Sequence, residues 1–314
     1  MKTLGRSRPS FALLLSTLLL SALLSSVFAV ASKPPKASPG RSPHLNTSLD
    51  TTFAQLVSAI DARAKALENS SGMKRGFDFF TAEYKIEPAS IRYSDYVVAR
   101  LVYESTRDAG FWGMHWSITN EPPNSDLIWR QWSAVKSPSF TAQTATAECD
   151  ELSALYALIA RRAGVRGIGL FWPYPNHTVA VWTLHPAANS YVRVVVPTSQ
   201  IFLTEADDFG TKSFNPWTQK TIYEYTRRDV PDDFELPKPL FDFFVSQLEK
   251  YGGASDAVLQ KIRYMRDAVF RGEWVPEDAA RAALALRASL ASAPPEDSAA
   301  LQDFVQDMRS PMSH

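Results

Sequence analysis

Cys149 is the only cysteine in the chain, and five histidines accompany it. It stands at the head of the most helix-like stretch, Glu148 to Ala163, where Leu152, Leu155, Tyr156 and Ile159 fall on one stripe and Gly164 supplies a stop signal. A thiol at a helix start meets unsatisfied backbone N–H groups and the positive end of the helix dipole. Both favour the thiolate, the form that attacks carbonyls. Asp150 and Glu151 act against this, because like charge raises a thiol pKa. A nearby imidazolium would offset them, and without one Cys149 is an inert thiol.

His177 is the residue able to fill that role. It opens a β-rich run, Thr178 to Leu184, and shares one strand face with Val179 and Val181. The alternative for His177 is a structural or surface histidine. His44 falls in a tether, His314 at the terminus, and His115 and His185 in turn-like segments, so these are weaker bases. Tyr191 to Val196 is a second β-branched run, and the intervening residues 185–190 read as the turn of a hairpin. A third group should hold the imidazole in its working tautomer. The expected register sets Thr198 opposite His177, with Val196 to Gln200 as the range, so Thr198, Ser199 and Gln200 are the available polar groups.

The elements that must position these residues follow from periodicity. Phe53, Leu56, Val57, Ile60 and Ala64 predict a helix from Thr51 onward. Ile91, Tyr93, Val97, Val98 and Leu101 predict another over 90–107, ended by Asp108-Ala109-Gly110. Residues 111–140 carry Trp112, Trp116, Trp129 and Trp132 among turns, either as core packing or as an aromatic wall beside a cleft. Helices are expected over 240–250, 256–270 and 276–292. Beyond Pro294 the expectation is weak order with one short helix containing Leu301, Phe304 and Val305.

Ala147-Glu148-Cys149-Asp150-Glu151-Leu152 through Ala163-Gly164-Val165-Arg166, with His177-Thr178-Val179-Ala180-Val181-Trp182 and Val196-Pro197-Thr198, resembles the core of the transglutaminase-like superfamily. The order matches: a helix-initial Cys, an Arg-Ala-Gly turn, a His-led strand and a return strand. The resemblance covers residues 140–205, about a fifth of the chain. It implies an α+β, papain-like core, a Cys-bearing helix packed on an antiparallel sheet, with added N- and C-terminal helices. It also implies acyl transfer or amide hydrolysis through a Cys149 thioester, with His177 as base. Val196 replaces the family's Asp, so Thr198, Gln200 or the backbone would have to orient His177. The backbone N–H of Cys149 and a donor from Gln143 or Trp132 would form the oxyanion hole.

Lys2, Arg6 and Arg8 precede an apolar run, and Ala29-Val30-Ala31 is a small-residue signal, so residues 1–31 read as a signal peptide cleaved after Ala31. An uncleaved anchor is the alternative. The expected location is secreted or periplasmic, with no membrane contact after cleavage. Residues 32–50, rich in Pro, Ser and Lys, read as a flexible linker. Residues 51–230 read as the transglutaminase-like domain, and 231–314 as a helical extension. The 33 basic and 33 acidic residues give no reason to expect nucleic acid. No phosphate loop, dinucleotide motif or zinc motif is present, so neither cofactor nor metal is expected. Asn46, Asn69 and Asn176 begin glycosylation sequons, and a glycan on Asn176 would crowd His177. Three functions fit: an exported cysteine peptidase, amidase or transglutaminase acting on protein or cell-wall peptide; an inactive peptide- or cell-wall-binding module on the same core; or a structural protein whose C-terminal helices bind a partner.

Overall fold

The chain enters its ordered part through a strand, β1 (Asp50–Thr52), that passes at once into helix α1 (Phe53–Leu67). Thr52 and Gln55 form a capping box at this junction, with the Thr52 N–H donating to the Gln55 side chain at 3.0 Å. Phe53, Leu56, Ile60, Ala64 and Leu67 make the buried face of α1. The computed structural model describes residues 50–107, 114–118, 131–136, 141–174, 177–196, 235–290 and 292–310. The signal segment, most of the linker, Asp108-Ala109-Gly110, Trp112 and Trp129 lie outside the described residues.

Helix α2 (Ser71–Tyr84) was not expected from the sequence. Its glycines hide it, since Gly is among the poorest helix formers. Packing explains them: a Cβ on Gly72 would lie 2.1 Å from the Gly253 carbonyl oxygen, and one on Gly76 would lie 2.6 Å from the Tyr96 hydroxyl. The Ser70 side chain caps α2 by accepting from the Met73 N–H at 3.3 Å. Helix α3 (Tyr93–Thr106) lies close to its predicted span and is buried from Tyr96 to Thr106.

Three strands follow that periodicity did not reveal: β2 (Met114–Ile118), β3 (Gln131–Lys136) and β4 (Thr141–Ala147). They form one sheet in the order β2-β4-β3, with β2 parallel and β3 antiparallel to β4. Trp116 is buried in β2, which favours core packing for that residue. His115 is also in β2, not in a turn.

β4 runs into α4 (Cys149–Arg162). A single apolar stripe was expected here, yet α4 is buried on every side from Glu151 to Ala160. α3 packs on one flank of α4 and a second antiparallel sheet on another. That sheet has the order β5-β6-β7, from β5 (Ile168–Tyr174), β6 (His177–Ala187) and β7 (Ser190–Val196). The turn between α4 and β5 uses Gly164 at φ 93°, with the Val165 N–H returning to the Ala160 carbonyl at 3.0 Å. This left-handed stop explains the Arg-Ala-Gly sequence. The expected hairpin is present, but β6 runs on to Ala187 and its turn is only Ala188-Asn189.

Strand β8 (Glu235–Pro237) pairs antiparallel with β1 and leads into α5 (Lys238–Lys250), which packs on α1. Helices α6 (Asp256–Phe270), α7 (Pro276–Ser289) and α8 (Pro295–Arg309) complete the described chain. The weak order expected beyond Pro294 is corrected. α8 has 15 residues, and Leu301, Phe304, Val305 and Met308 are buried. Its Glu296 carboxylate sits on the start of α2, accepting from the Ser71 N–H at 2.9 Å and hydroxyl at 2.7 Å. The architecture is therefore mixed α+β: helices and small sheets sharing one large apolar cluster from Phe53 to Met308.

Candidate active site

Cys149 is the first residue of α4, and its helix start is built by carboxylates. The Glu148 backbone N–H donates to Glu151 Oε2 at 2.8 Å, as part of a capping box between these two residues. Glu148 and Glu151 are both buried. The two acidic residues that opposed the thiolate in the sequence thus include one, Glu151, with a structural task.

The thiol meets β6 directly. The Thr178 backbone N–H donates to Cys149 Sγ at 3.3 Å. The Ser153 hydroxyl, one turn along α4, contacts two carbonyl oxygens: Cys149 at 2.8 Å and Thr178 at 3.0 Å. These buried contacts fix the first turn of α4 against the start of β6. His177, the first residue of β6, is bonded in sequence to the Thr178 nitrogen that touches the sulfur. Two residues singled out 28 positions apart are therefore brought together at the level of the backbone. Neither Ser153 nor the Thr178 N–H was recognised from the sequence. A small polar residue one turn after a helix-initial Cys was the only available signal.

Cys149 is 4% exposed. Burial pushes its thiol above the usual range; hydrogen bonds from the Thr178 and Asp150 N–H groups pull it down, and the Asp150 and Glu148 charges push it up. Asp150 is only partly buried, but its Oδ1 is dry and lacks a hydrogen-bond partner. Burial first, then the neighbouring Glu151 charge, raises its carboxyl to about 6. A carboxyl beside a thiol that changes charge near pH 6 couples the two titrations.

Val196 does not stand opposite His177. It pairs with Ala180, three residues along β6, and is fully buried. It joins Ala180, Trp182 and Val194 in the cluster that includes α4, whereas Val179, Val181, Phe171 and Val195 form a separate cluster. Val196 is a core residue at a position where a carboxylate would be desolvated. Thr198, Ser199 and Gln200 lie outside the described residues, as do Asn176, Asn46, His44 and His314. Gln143 and Trp132 are placed in β4 and β3, with Gln143 pairing Ala134 and Trp132 pairing Ala145.

His115 occupies a different environment. Its ring stacks on Phe270 with centroids 3.8 Å apart, and its Nδ1 lies 3.6 Å from Asp267 Oδ1. Burial, with the Arg266 and Arg271 charges, lowers it to about 4, so it is neutral at physiological pH. His185 is exposed on β6. Among the described residues no three His, Cys, Asp or Glu side chains converge as metal ligands, and no helix is long and apolar enough to cross a membrane. The chain matches no protein-family model, no curated protein and no solved structure.

Proposed function

We propose that this chain is an exported transglutaminase-like cysteine enzyme that transfers or hydrolyses acyl groups of protein or cell-wall peptide. The reading rests on one observation: the N–H that follows His177 donates to the sulfur of a helix-initial Cys149 at 3.3 Å. The packing of α4 on the antiparallel β5-β6-β7 sheet is read as the papain-like core.

In this reading His177 takes the proton of Cys149 as the sulfur attacks an amide carbonyl, and the C–S bond forms. The tetrahedral adduct expels the amine, which leaves with the proton held by His177, and a thioester remains. Water releases an acid, or a primary amine releases a new amide; either nucleophile returns a proton through His177 to the thiolate. Thr198 is the proposed orienter of the imidazole. The Cys149 N–H is one proposed oxyanion donor.

A second reading has specific support. Val196 is a core valine and the Cys149 thiol is pushed up, which suits an inactive peptide- or cell-wall-binding module on the same core. The pH dependence of Cys149 alkylation by iodoacetamide, in the folded chain and in His177→Ala, separates the two. A reactive thiolate well below pH 8 that disappears in the variant supports the enzyme. A thiol at or above its reference pKa of about 8.5, unchanged by the substitution, refutes it.

A further inference from the structure

Thr178 stands where β6 leaves its ladder. The described β6–β7 pairs begin at Ala180, opposite Val196, and the β5–β6 register shifts between Phe171, opposite Val179, and Tyr174, opposite His177. Among the described residues Thr178 has no cross-strand register partner, and it is buried, so its backbone polar groups need partners elsewhere. Helix α4 supplies them. The Thr178 N–H donates to Cys149 Sγ at 3.3 Å, and the Thr178 carbonyl accepts from the Ser153 hydroxyl at 3.0 Å.

Ser153 lies one turn along α4 from Cys149, on the same face of the helix. It is fully buried among Leu152, Ala154 and Ala157. Alanine would suit a helix interior better than serine, and a buried hydroxyl is costly unless it is bonded. The hydroxyl has one proton and two carbonyl acceptors, Cys149 on its own helix at 2.8 Å and Thr178 on β6 at 3.0 Å. It therefore bridges two chain segments, where a helical serine commonly bonds back to its own turn alone.

Pinning the Thr178 carbonyl restricts the torsions about its Cα and with them the direction of its N–H. That N–H is aimed at the sulfur. A donor on sulfur bonds the thiolate more strongly than the thiol, because a charge-assisted hydrogen bond is the stronger one. Burial pushes the Cys149 thiol up, and the Thr178 N–H is the largest influence pulling it down, against the Asp150 and Glu148 charges.

We infer that Ser153 is a positioning residue: its hydroxyl holds the Thr178 N–H on Cys149 Sγ, and this N–H is the donor that stabilises the attacking thiolate. The inference rests on the reading of Cys149 as a nucleophile. The donor acts on the sulfur independently of His177, so the two can be tested apart.

The test follows the thiol in the folded chain. In the unmodified protein the Thr178 amide proton, followed by NMR, should move downfield with the same midpoint as iodoacetamide alkylation of Cys149. An amide that does not move through that midpoint overturns the proposal, and this arm needs no variant. Ser153→Ala should raise the alkylation midpoint by about 0.5–1 pH unit, the loosening of one hydrogen bond to a charged group. Ser153→Thr keeps the hydroxyl and should return the midpoint toward the unmodified value; a shift as large as that of Ser153→Ala overturns the role of the hydroxyl. A folded Ser153→Ala protein with an unmoved midpoint also overturns the proposal, since a purely structural role lowers stability and leaves the midpoint in place. The same substitution in a His177→Ala background separates this proposal from the enzyme reading. A rise in both backgrounds supports Ser153, whereas a His177→Ala profile identical to that of the unmodified protein counts against the enzyme reading alone.

Discussion

Asp150→Asn tests whether the acidic helix start controls the thiol. Asp150 titrates at about 6, so it is anionic throughout the range in which Cys149 loses its proton. Its charge therefore opposes thiolate formation, and removing it must lower the thiol pKa. For a separation of ~6 Å, typical of neighbouring side chains, an effective dielectric of about 40 suits a partly wet site. The repulsion is then ~1.4 kcal/mol, or about one pKa unit. The assay is the pH profile of iodoacetamide alkylation of the folded protein. Its midpoint should fall by about one unit in Asp150→Asn. Well below the midpoint the thiolate fraction rises about tenfold; the weaker nucleophilicity of a less basic thiolate reduces this to a rate gain of roughly three- to fourfold. The unmodified protein should also show a second inflection near pH 6, where Asp150 itself titrates, and Asp150→Asn should lose it. A midpoint that stays in place or rises in a folded variant would show that the carboxylate does not act on the sulfur through its charge.

Ser153→Ala should destabilise the fold by about 1–3 kcal/mol, the cost of leaving a buried acceptor without its donor, because the Thr178 carbonyl loses its contact with α4; urea unfolding measures it, and an unchanged midpoint refutes the role. Val196→Asp should create no catalytic carboxylate and should cost about 3–5 kcal/mol by burying an acid among apolar side chains; a fully stable variant with a lowered thiol midpoint would contradict the register of β6 and β7. Glu296 is held at about 2: burial opposes ionisation, but Ser71, the Gly72 N–H and Ser70 outweigh it. A depressed carboxyl stabilises the fold above its unfolded value of about 4.5 and loses that contribution as pH falls through its folded value. Glu296→Gln should therefore cost about 1–2 kcal/mol at pH 7, less than the full shift implies because solvent screens the carboxylate, and progressively less from pH 4.5 toward pH 2, read from urea unfolding at each pH; a difference independent of pH would refute the linkage.

The site was partly legible because its determinants are local. A lone Cys, helical periodicity after it and Gly164 define α4 without reference to any distant residue. The β-branched runs around residues 178–184 and 191–196 likewise announce a hairpin. β2, β3, β4 and β5 were missed since their sequences alternate poorly, and α2 was missed through glycines that exist for contacts with Gly253 and Tyr96. The length of α8 was misjudged because much of its stability comes from burying Leu301, Phe304 and Met308 against other helices, a tertiary quantity.

What the sequence by itself determined is which residues could do chemistry and on what local element each stands: Cys149 at a helix start and His177 at a strand start, in a mixed α+β chain. Only the tertiary structure decided that these two element starts meet, that Thr178 N–H and Ser153 hold them together, and that Val196 belongs to the core. The reason is physical. Helix and strand signals arise from neighbours a few residues apart, whereas hydrogen bonding across 29 positions and desolvation of a thiol depend on how buried surfaces close over one another.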